Sequence, residues 1–246
     1  MLKKVHCVRL DGDKAELEDE IAEEVPLVIF VNGKHFSTAM ISPQMREEFV
    51  TGHLFTEGII DGPVDIESLK VESNTAKVLT RHSTTFLESR KVILSGCGST
   101  SSFLDKKKLP KICSNLMLDR TMVLNAMKAV LRSDNFKRSG GFHSCGLFNE
   151  SGAIIVVDDI GRHNALDKVI GFGLIRNLDL KDTFIATTGR ISSDVALKCA
   201  RANIPVIASK GAVTTLAVEI AENSGLTTAG FVRGNKMNIY SGGRIN

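Results

Sequence analysis

The chain has 246 residues, of which 43% are hydrophobic and 24% charged, so it can fold as one large domain or two small ones. This composition excludes a wholly disordered chain. The formal net charge of +3 is too small for non-specific nucleic-acid binding, which requires a dense basic patch.

Neither a membrane span nor a signal peptide is predicted. The longest stretch without a charged residue, Val92–Leu104, has 13 residues, whereas a spanning helix needs about 20 apolar residues. The N-terminus carries Lys3 and Lys4 with no apolar segment behind them. The five cysteines are widely spaced and form no CxxC pair, which favours a cytoplasmic protein with reduced thiols.

Strands dominate the predicted first half. The apolar run Pro26–Val31 precedes Asn32–Gly33, a strong type I′ hairpin signal, and His35–Ile41 is predicted as the partner strand. The remaining predicted strands are Ile66–Glu72 and Lys77–Arg81, paired around Ser73–Asn74, and Lys91–Leu94. Between the hairpins, Ser42 followed by Pro43 predicts a helix N-cap, and that helix is expected to end at Gly58.

The second half shows helical periodicity and then alternation. Asp119 is predicted to cap a helix whose apolar residues recur every three or four positions, and Gly225 is typical of a helix C-terminus. After Gly140–Gly141 the predicted elements are strands Ser144–Phe148 and Ala153–Asp158, helix His163–Arg176, strand Thr183–Thr187, helix Ser193–Ala202, strand Val206–Ser209, helix Val213–Asn223 and strand Thr227–Val232. Such alternation predicts a three-layer α/β unit with a largely parallel sheet.

Two domains follow from this change of pattern, with the boundary predicted near Lys106–Pro110. We assign residues 1–115 to a smaller, strand-rich α+β domain and residues 116–246 to the α/β domain.

Three loops of the second half are candidates for a phosphate-bearing ligand. They are residues 158–164, 187–193 and 231–236, and each places an arginine beside a glycine: Arg162, Arg190 and Arg233. Ligands of open α/β sheets bind beyond the carboxyl ends of strands, where glycine allows close approach and arginine binds phosphate. The alternative is that these are ordinary turns with solvated arginines.

Cys97 is the candidate reactive thiol. Its neighbours are Gly, Ser and Thr, so it is expected to be exposed, and Lys106, Lys107 and Lys108 would lower its pKa if they fold nearby. The alternative is a bystander cysteine in a loop. Cys199, on a predicted helix among apolar residues, is expected in the core.

No metal site is predicted. The zinc deaminase signature begins H-x-E, but the residue two after His163 is Ala165, and the pair of cysteines that would complete the site is missing. A lone histidine on a helix, such as His53, is more often structural than a ligand. Neither a P-loop nor GxGxxG occurs.

Residues Asp159–Lys168 read Asp-Ile-Gly-Arg-His-Asn-Ala-Leu-Asp-Lys and resemble the central signature of the formate dehydrogenase accessory sulfurtransferases, the FdhD/NarQ family. The other resembling blocks are, in order, Glu24–Leu27, Val31–Gly33, Gly52–Ile60, Gly140–His143, Thr188–Arg190, Ile204–Val206, Leu216–Glu219 and Gly230–Gly234.

The resemblance implies a sulfur carrier. It implies a persulfide on Cys97, received from a cysteine desulfurase and passed to the molybdenum or tungsten bis(molybdopterin guanine dinucleotide) cofactor of apo formate dehydrogenase. It also implies a homodimer, and a cytidine-deaminase-like second domain without zinc. The implied cofactor-binding residues, with those of the three loops, are Gly161, Arg162, His163, Thr188, Gly189, Arg190, Phe231, Val232, Arg233, Gly234, Asn235 and Lys236.

One position departs from the family pattern. The family loop usually carries C-x-x-C, but here Thr100 stands where the second cysteine is expected. Carriage of a persulfide needs one thiolate, so it survives, whereas a relay between two cysteines does not. Two other functions remain open: a cofactor-binding chaperone, which would not need Cys97, and a nucleotide deaminase or hydrolase, which lacks its motif.

Overall fold

The computed structural model describes residues 1–81 and 109–246, so the predicted strand Lys91–Leu94 and Cys97 lie outside the described residues. The strands are β1 Leu2–Asp11, β2 Asp13–Ala22, β3 Val25–Val31, β4 Lys34–Ile41, β5 Ile66–Glu72, β6 Thr75–Thr80, β7 His143–Asn149, β8 Gly152–Asp159, β9 Phe184–Thr187, β10 Val206–Ser209, β11 Thr227–Arg233 and β12 Lys236–Ser241. The α-helices are α1 Arg46–Thr56, α2 Arg120–Leu131, α3 Asp134–Ser139, α4 Arg162–Ile175, α5 Ser193–Arg201 and α6 Thr215–Ser224.

The first half contains a four-stranded sheet in the order β4-β3-β6-β5. Asn32 and Gly33 adopt positive φ of 49° and 78°, as a type I′ turn requires, and they join antiparallel β3 and β4. Ser73, at φ 48°, lies in the turn between antiparallel β5 and β6. Both predicted hairpins are therefore confirmed.

A two-stranded ribbon precedes this sheet. β1 and β2 pair antiparallel along their whole length, from Leu2 opposite Ala22 to Asp11 opposite Asp13. The short helix α3 packs against β2. An isolated hairpin is marginally stable in water, so this contact with the body of the protein helps to hold the ribbon.

The second half forms a six-stranded sheet in the order β12-β11-β10-β9-β7-β8. β9, β10 and β11 are parallel, while β7 is antiparallel to both β8 and β9, and β12 is antiparallel to β11. The sheet is therefore mixed, and the expectation of a largely parallel sheet holds only for its centre. Because β8 to β11 all run in one direction, their carboxyl ends lie at one edge.

Helices cover both faces of this sheet. Along β9, Phe184 and Ala186 face the cluster that includes α2, whereas Ile185 faces the cluster that includes α4, α5 and α6. Asp119 caps α2 by accepting a hydrogen bond from the Thr121 backbone N–H, and Gly225 ends α6 at φ 79°. Both capping predictions are confirmed. None of the helices in the described ranges is long and apolar enough to cross a bilayer.

Helix α1 does not begin where the sequence predicted. Met45, at φ 55°, immediately precedes α1, and Ser42 with Pro43 lies outside the helix. Ser42 is fully buried, and its backbone N–H donates to the Asp159 carboxylate, 3.1 Å away, instead of its side chain capping a helix. The predicted N-cap is thus wrong, because a residue distant in sequence binds this segment.

Helices α1 and α4 are in backbone contact. A Cβ atom at Gly52 would lie 1.9 Å from the Asp167 carbonyl oxygen, and one at Gly171 would lie 1.9 Å from the Glu48 carbonyl oxygen. Only glycine fits at these two positions. The contact, which we call the α1–α4 seam, joins the two halves of the chain.

Candidate functional site

The three arginine-glycine loops meet at the edge where β8 to β11 end, and we call residues 158–164, 187–193 and 231–236 together the loop edge. A Cβ at Gly189 would lie 2.7 Å from the Arg162 Cβ, so the glycine lets the first loop pack on the second. Gly211, in the loop after β10, packs against the Arg190 backbone in the same way, with 3.3 Å from its Cβ position to the Arg190 Cα. The Gly211 loop was not among the predicted segments.

The third loop joins the others through this same connection. The Phe231 backbone N–H donates to the Gly211 carbonyl at 2.9 Å, and the Arg233 Nε donates to the Lys210 carbonyl at 3.3 Å. Phe231 has φ 51°, a left-handed conformation that is rare for an aromatic residue, and its side chain is 39% exposed. The Arg233 guanidinium lies 5.6 Å from the Phe231 ring centroid. Strain of this kind clusters at ligand sites.

The predicted site residues are not all alike in exposure. Arg190, Arg233, Gly234, Asn235 and Lys236 are exposed, and Gly161, Arg162 and Thr188 are half-buried. Val232, by contrast, packs its side chain into the core beneath α2. The arginines at positions 190 and 233 therefore present charge to solvent at the loop edge.

His163 faces inward. Its Nε2 lies 3.4 Å from the Ser192 Oγ, and its side chain is 8% exposed. Burial, and next the positive charge of Arg162, lowers the pKa of His163 to about 3. This histidine is therefore uncharged at neutral pH, and it lines a cavity that residues of the first half share.

A buried charged cluster lies beside the α1–α4 seam. Lys198 Nζ lies 2.7 and 2.6 Å from the two Asp167 carboxylate oxygens, 3.0 Å from the Thr56 Oγ1 and 3.7 Å from Glu57. His53 Nδ1 lies 3.2 Å from Asp167 Oδ2. The cluster thus ties α1, α4 and α5 together.

Asp167 and Lys198, the pair at the centre of this cluster, are both ionised. Burial alone would raise the pKa of Asp167, but Lys198 and His53 lower it to about 2. Burial alone would likewise lower the pKa of Lys198, but Asp167 and Glu57 raise it. A buried pair of this kind is stable only as a pair, because either charge alone would be unsolvated.

A second buried ion pair lies where β8 meets α4. Lys168 Nζ is 2.6 Å from Asp159 Oδ2, both side chains are 0% exposed, and Lys168 also donates to the Ser42 carbonyl at 3.0 Å. Asp159 accepts further hydrogen bonds from the Gly161 N–H and the Asn164 side chain, each at 2.9 Å. The pair fixes the strand-to-helix turn that carries Arg162.

Sequence reasoning missed both clusters. The available signal was the spacing of His163, Asp167 and Ile170 on α4, which places two polar residues on a face that is otherwise apolar. The sequence predicts a structural role for His53, and its ring does pack against Phe49 and Phe36. The same ring also borders a cavity.

The cysteines of the described residues differ in reactivity. Cys145 and Cys199 are buried, and burial raises the pKa of the Cys145 thiol to about 12 and that of Cys199 further still. The predicted core position of Cys199 is confirmed. Cys113 is exposed and Cys7 is half-buried. Cys97 lies outside the described residues.

Across residues 1–81 and 109–246 no group of three His, Cys, Asp or Glu side chains is arranged to hold a metal ion. His163, the residue that would begin the zinc deaminase signature, lies within hydrogen-bond distance of Ser192 and 4.0 Å from the Asp194 carboxylate. The loop edge offers exposed cations and the exposed aromatic ring of Phe231.

Comparisons with known proteins agree on one family. A model of the FdhD/NarQ family matches residues 22–246. The sulfur carrier protein FdhD of Bacillus pumilus is 37% identical over 232 residues, covering 91% of this chain and 88% of that protein. The protein of the same name from Geobacillus kaustophilus is 35% identical, covering 94% and 91%. A crystal structure of a protein from Desulfotalea psychrophila, described as a formate dehydrogenase accessory protein, superposes with a TM-score of 0.82 at 26% identity and covers 100% of this chain and 99% of that one.

Proposed function

The chain belongs to the FdhD/NarQ family, and we propose that it carries sulfur from a cysteine desulfurase, as a persulfide on Cys97, to the bis(molybdopterin guanine dinucleotide) cofactor that formate dehydrogenase requires. The observation that carries this proposal is the match over nearly the whole chain to proteins named sulfur carriers. Molybdenum and tungsten forms of the cofactor are both compatible with it.

The sulfur step needs an ionised, accessible thiol. The Cys97 thiolate attacks the terminal sulfur of the desulfurase persulfide, a new S–S bond forms at Cys97, and the desulfurase cysteine leaves as a thiolate. Cys145 and Cys199 are unsuitable, because their burial raises the pKa of each thiol far above neutral pH. Cys113 is exposed and is the natural comparison.

The loop edge fits the cofactor's phosphates and guanines. Arg190 and Arg233 are exposed cations, and arginine binds phosphate through two parallel hydrogen bonds. Phe231 offers an exposed ring on which a planar base can stack. Gly189 and Gly211 let neighbouring loops pack closely against Arg162 and Arg190, which supports bringing these side chains to one edge.

Mass spectrometry after incubation with a cysteine desulfurase and cysteine tests the carrier role. We expect one added sulfur atom that a reductant removes, absent from Cys97→Ala and retained in Cys113→Ala. Sulfur mapped to another cysteine would refute the assignment of Cys97. If no cysteine accepts sulfur while the cofactor still binds, the protein is a cofactor chaperone.

Calorimetry with guanosine diphosphate tests the loop edge. Arg233→Ala should weaken binding by about tenfold to a hundredfold, since a charge-assisted phosphate contact contributes roughly 1.5–3 kcal/mol. Adenosine diphosphate should bind less tightly. Equal affinity for both nucleotides, or unchanged binding by Arg233→Ala, would place the guanine site elsewhere.

A further inference from the structure

A cavity of about 420 Å³ lies between β4, α1 and the start of α4. Its walls combine apolar groups with two histidines, and part of the wall is the first loop of the loop edge, through Ile160, Gly161, His163 and Asn164. The lining residues that matter here are Ser37, Met40, Phe49, His53, Ile160 and His163. The lining includes Gly161 and His163, which the family resemblance implies as cofactor-binding residues, but none of the three arginines of the loop edge.

His53 is held in one orientation at the cavity wall. Its ring stacks on Phe49 with 5.4 Å between centroids and 8° between planes, and Phe36 contacts it at 5.7 Å. Its Nδ1 lies 3.2 Å from Asp167 Oδ2. Asp167 is fixed in turn, because Lys198 bonds both of its oxygens.

This arrangement decides which ring nitrogen can accept a proton. An ionised carboxylate only accepts hydrogen bonds, so the Nδ1 of a neutral His53 carries the hydrogen and Nε2 is left as an acceptor. Ser37 Oγ lies 3.5 Å from that Nε2, at the outer limit of a hydrogen bond. A hydroxyl group therefore already approaches the accepting atom, without binding it tightly.

The charges around the cavity disfavour an anion. Lys198 is the one cation among the described residues that line it, and Asp167 and Glu57 surround its ammonium group. Glu24 adds a further carboxylate to the wall. An anionic ligand would meet carboxylates without an available counter-charge, whereas an uncharged one would not.

We propose that this cavity binds a small uncharged molecule whose hydroxyl or thiol hydrogen is accepted by His53 Nε2. Met40, Phe49 and Ile160 bind the apolar part of the ligand. The proposal does not require a persulfide on Cys97, although the cavity borders the first loop of the loop edge.

Nuclear magnetic resonance of the full-length reduced protein tests this site. The probes are 2-mercaptoethanol and ethylene glycol, with 2-mercaptoethanesulfonate as the anionic counterpart. We expect saturable shifts at the His53 ring nitrogens and the Ile160 backbone amide, with dissociation constants on the order of millimolar for such small probes. The sulfonate should bind at least about tenfold more weakly. A preference between the two uncharged probes separates a thiol site from a hydroxyl site.

Three variants make the test specific. His53→Asn keeps a donor near the position of Nδ1 but removes Nε2, so the Ile160 shift should be lost while the fold, followed by circular dichroism, remains. His6→Asn, on the exposed ribbon, is the matched control and should bind as the parent does. Ser37→Ala removes the competing hydroxyl and should tighten binding a few-fold.

The inference is overturned if neither uncharged probe saturates, if His53→Asn binds as tightly as the parent, or if the sulfonate binds best. Loss of probe binding in Ser37→Ala would also overturn it, because the serine and not the histidine would then be the ligand's partner. Persulfide loading of Cys97 is measured separately, so failure of one result leaves the other readable.

Discussion

The α1–α4 seam and the loop edge contain similar residues that serve different purposes. Both contain glycines at close contacts and have basic side chains in or beside them. Beside the seam, Lys198 lies against Asp167 and is 5% exposed, whereas Arg190 and Arg233 at the loop edge are exposed. Burial therefore decides whether a cation serves the fold or stays available for a ligand.

The physical reason is desolvation. A buried charge must be matched by a partner, so Lys168 and Lys198 are each fixed on a carboxylate and have no capacity for an external anion. A solvated arginine keeps its hydrogen-bond donors exchangeable with water, and a phosphate replaces that water at little cost. The comparison predicts large stability effects at the seam and small ones at the loop edge.

Gly171→Ala should have the largest effect. Its Cβ would lie 1.9 Å from the Glu48 carbonyl oxygen, and backbone atoms of α1 cannot move aside without separating the helices. We expect loss of the folded state, or a destabilisation of more than about 4 kcal/mol. Circular dichroism and urea unfolding measure it. The control is Gly62→Ala, where a Cβ meets no atom within 4 Å; comparable loss there would contradict the prediction.

Lys168→Met should come next. It leaves the Asp159 carboxylate buried without its cation, which costs about 3–5 kcal/mol. Urea unfolding at neutral pH measures the change. Lys70→Met, which breaks the exposed Lys70–Glu72 pair, should leave the melting temperature unchanged. Equal effects of the two substitutions would remove the distinction between buried and exposed pairs.

The buried His163 should make stability depend on pH. Its pKa is lowered from 6.5 to about 3 by burial and then by Arg162. Below pH 6.5 His163 binds a proton in the unfolded chain but not in the folded protein. The stability that the neutral imidazole contributes is therefore complete above pH 6.5 and is lost as the pH falls toward 3. The loss is on the order of 4 kcal/mol.

Urea unfolding between pH 7 and pH 4.5 separates this effect from the ion pair. The pKa of Asp167 is lowered from 3.8 to about 2, so the stability that its ionised form contributes is complete above about pH 4 and is lost only below it. His163→Gln should flatten the profile over that range. His143 also has its pKa lowered by burial, so His143→Gln should flatten it in part. A profile that is unchanged in His163→Gln would show that this imidazole titrates normally in the folded protein.

The smallest stability effect is expected at the loop edge. Arg190→Ala and Arg233→Ala should each change the free energy of unfolding by less than about 0.5 kcal/mol, because both side chains are exposed. The same Arg233 variant should lose nucleotide affinity, as described above. Destabilisation as large as that of Lys168→Met would mean that these arginines serve the fold.

Local signals predicted much of the fold. Asn32–Gly33 requires positive φ at both turn residues, Asp119 offers a side-chain acceptor to a helix N-terminus, and Gly225 tolerates the left-handed conformation. Each of these signals depends only on residues close together in the chain, so it can be recognised in the sequence. The strand β2 was missed because it is rich in charged residues and carries weak apolar alternation, and the short strand β12 was missed as well.

The sequence alone thus determined the turns, the caps, the alternation of strands and helices and the family blocks that point to sulfur carriage. Only the tertiary structure decided the partners of the buried charges. His53 meets Asp167 across 114 positions and Ser42 meets Asp159 across 117, and no local pattern specifies such pairs. The reason is physical: a turn is set by the conformational preferences of adjacent residues, whereas a buried charge is satisfied by whichever side chain the packing of distant elements brings within reach.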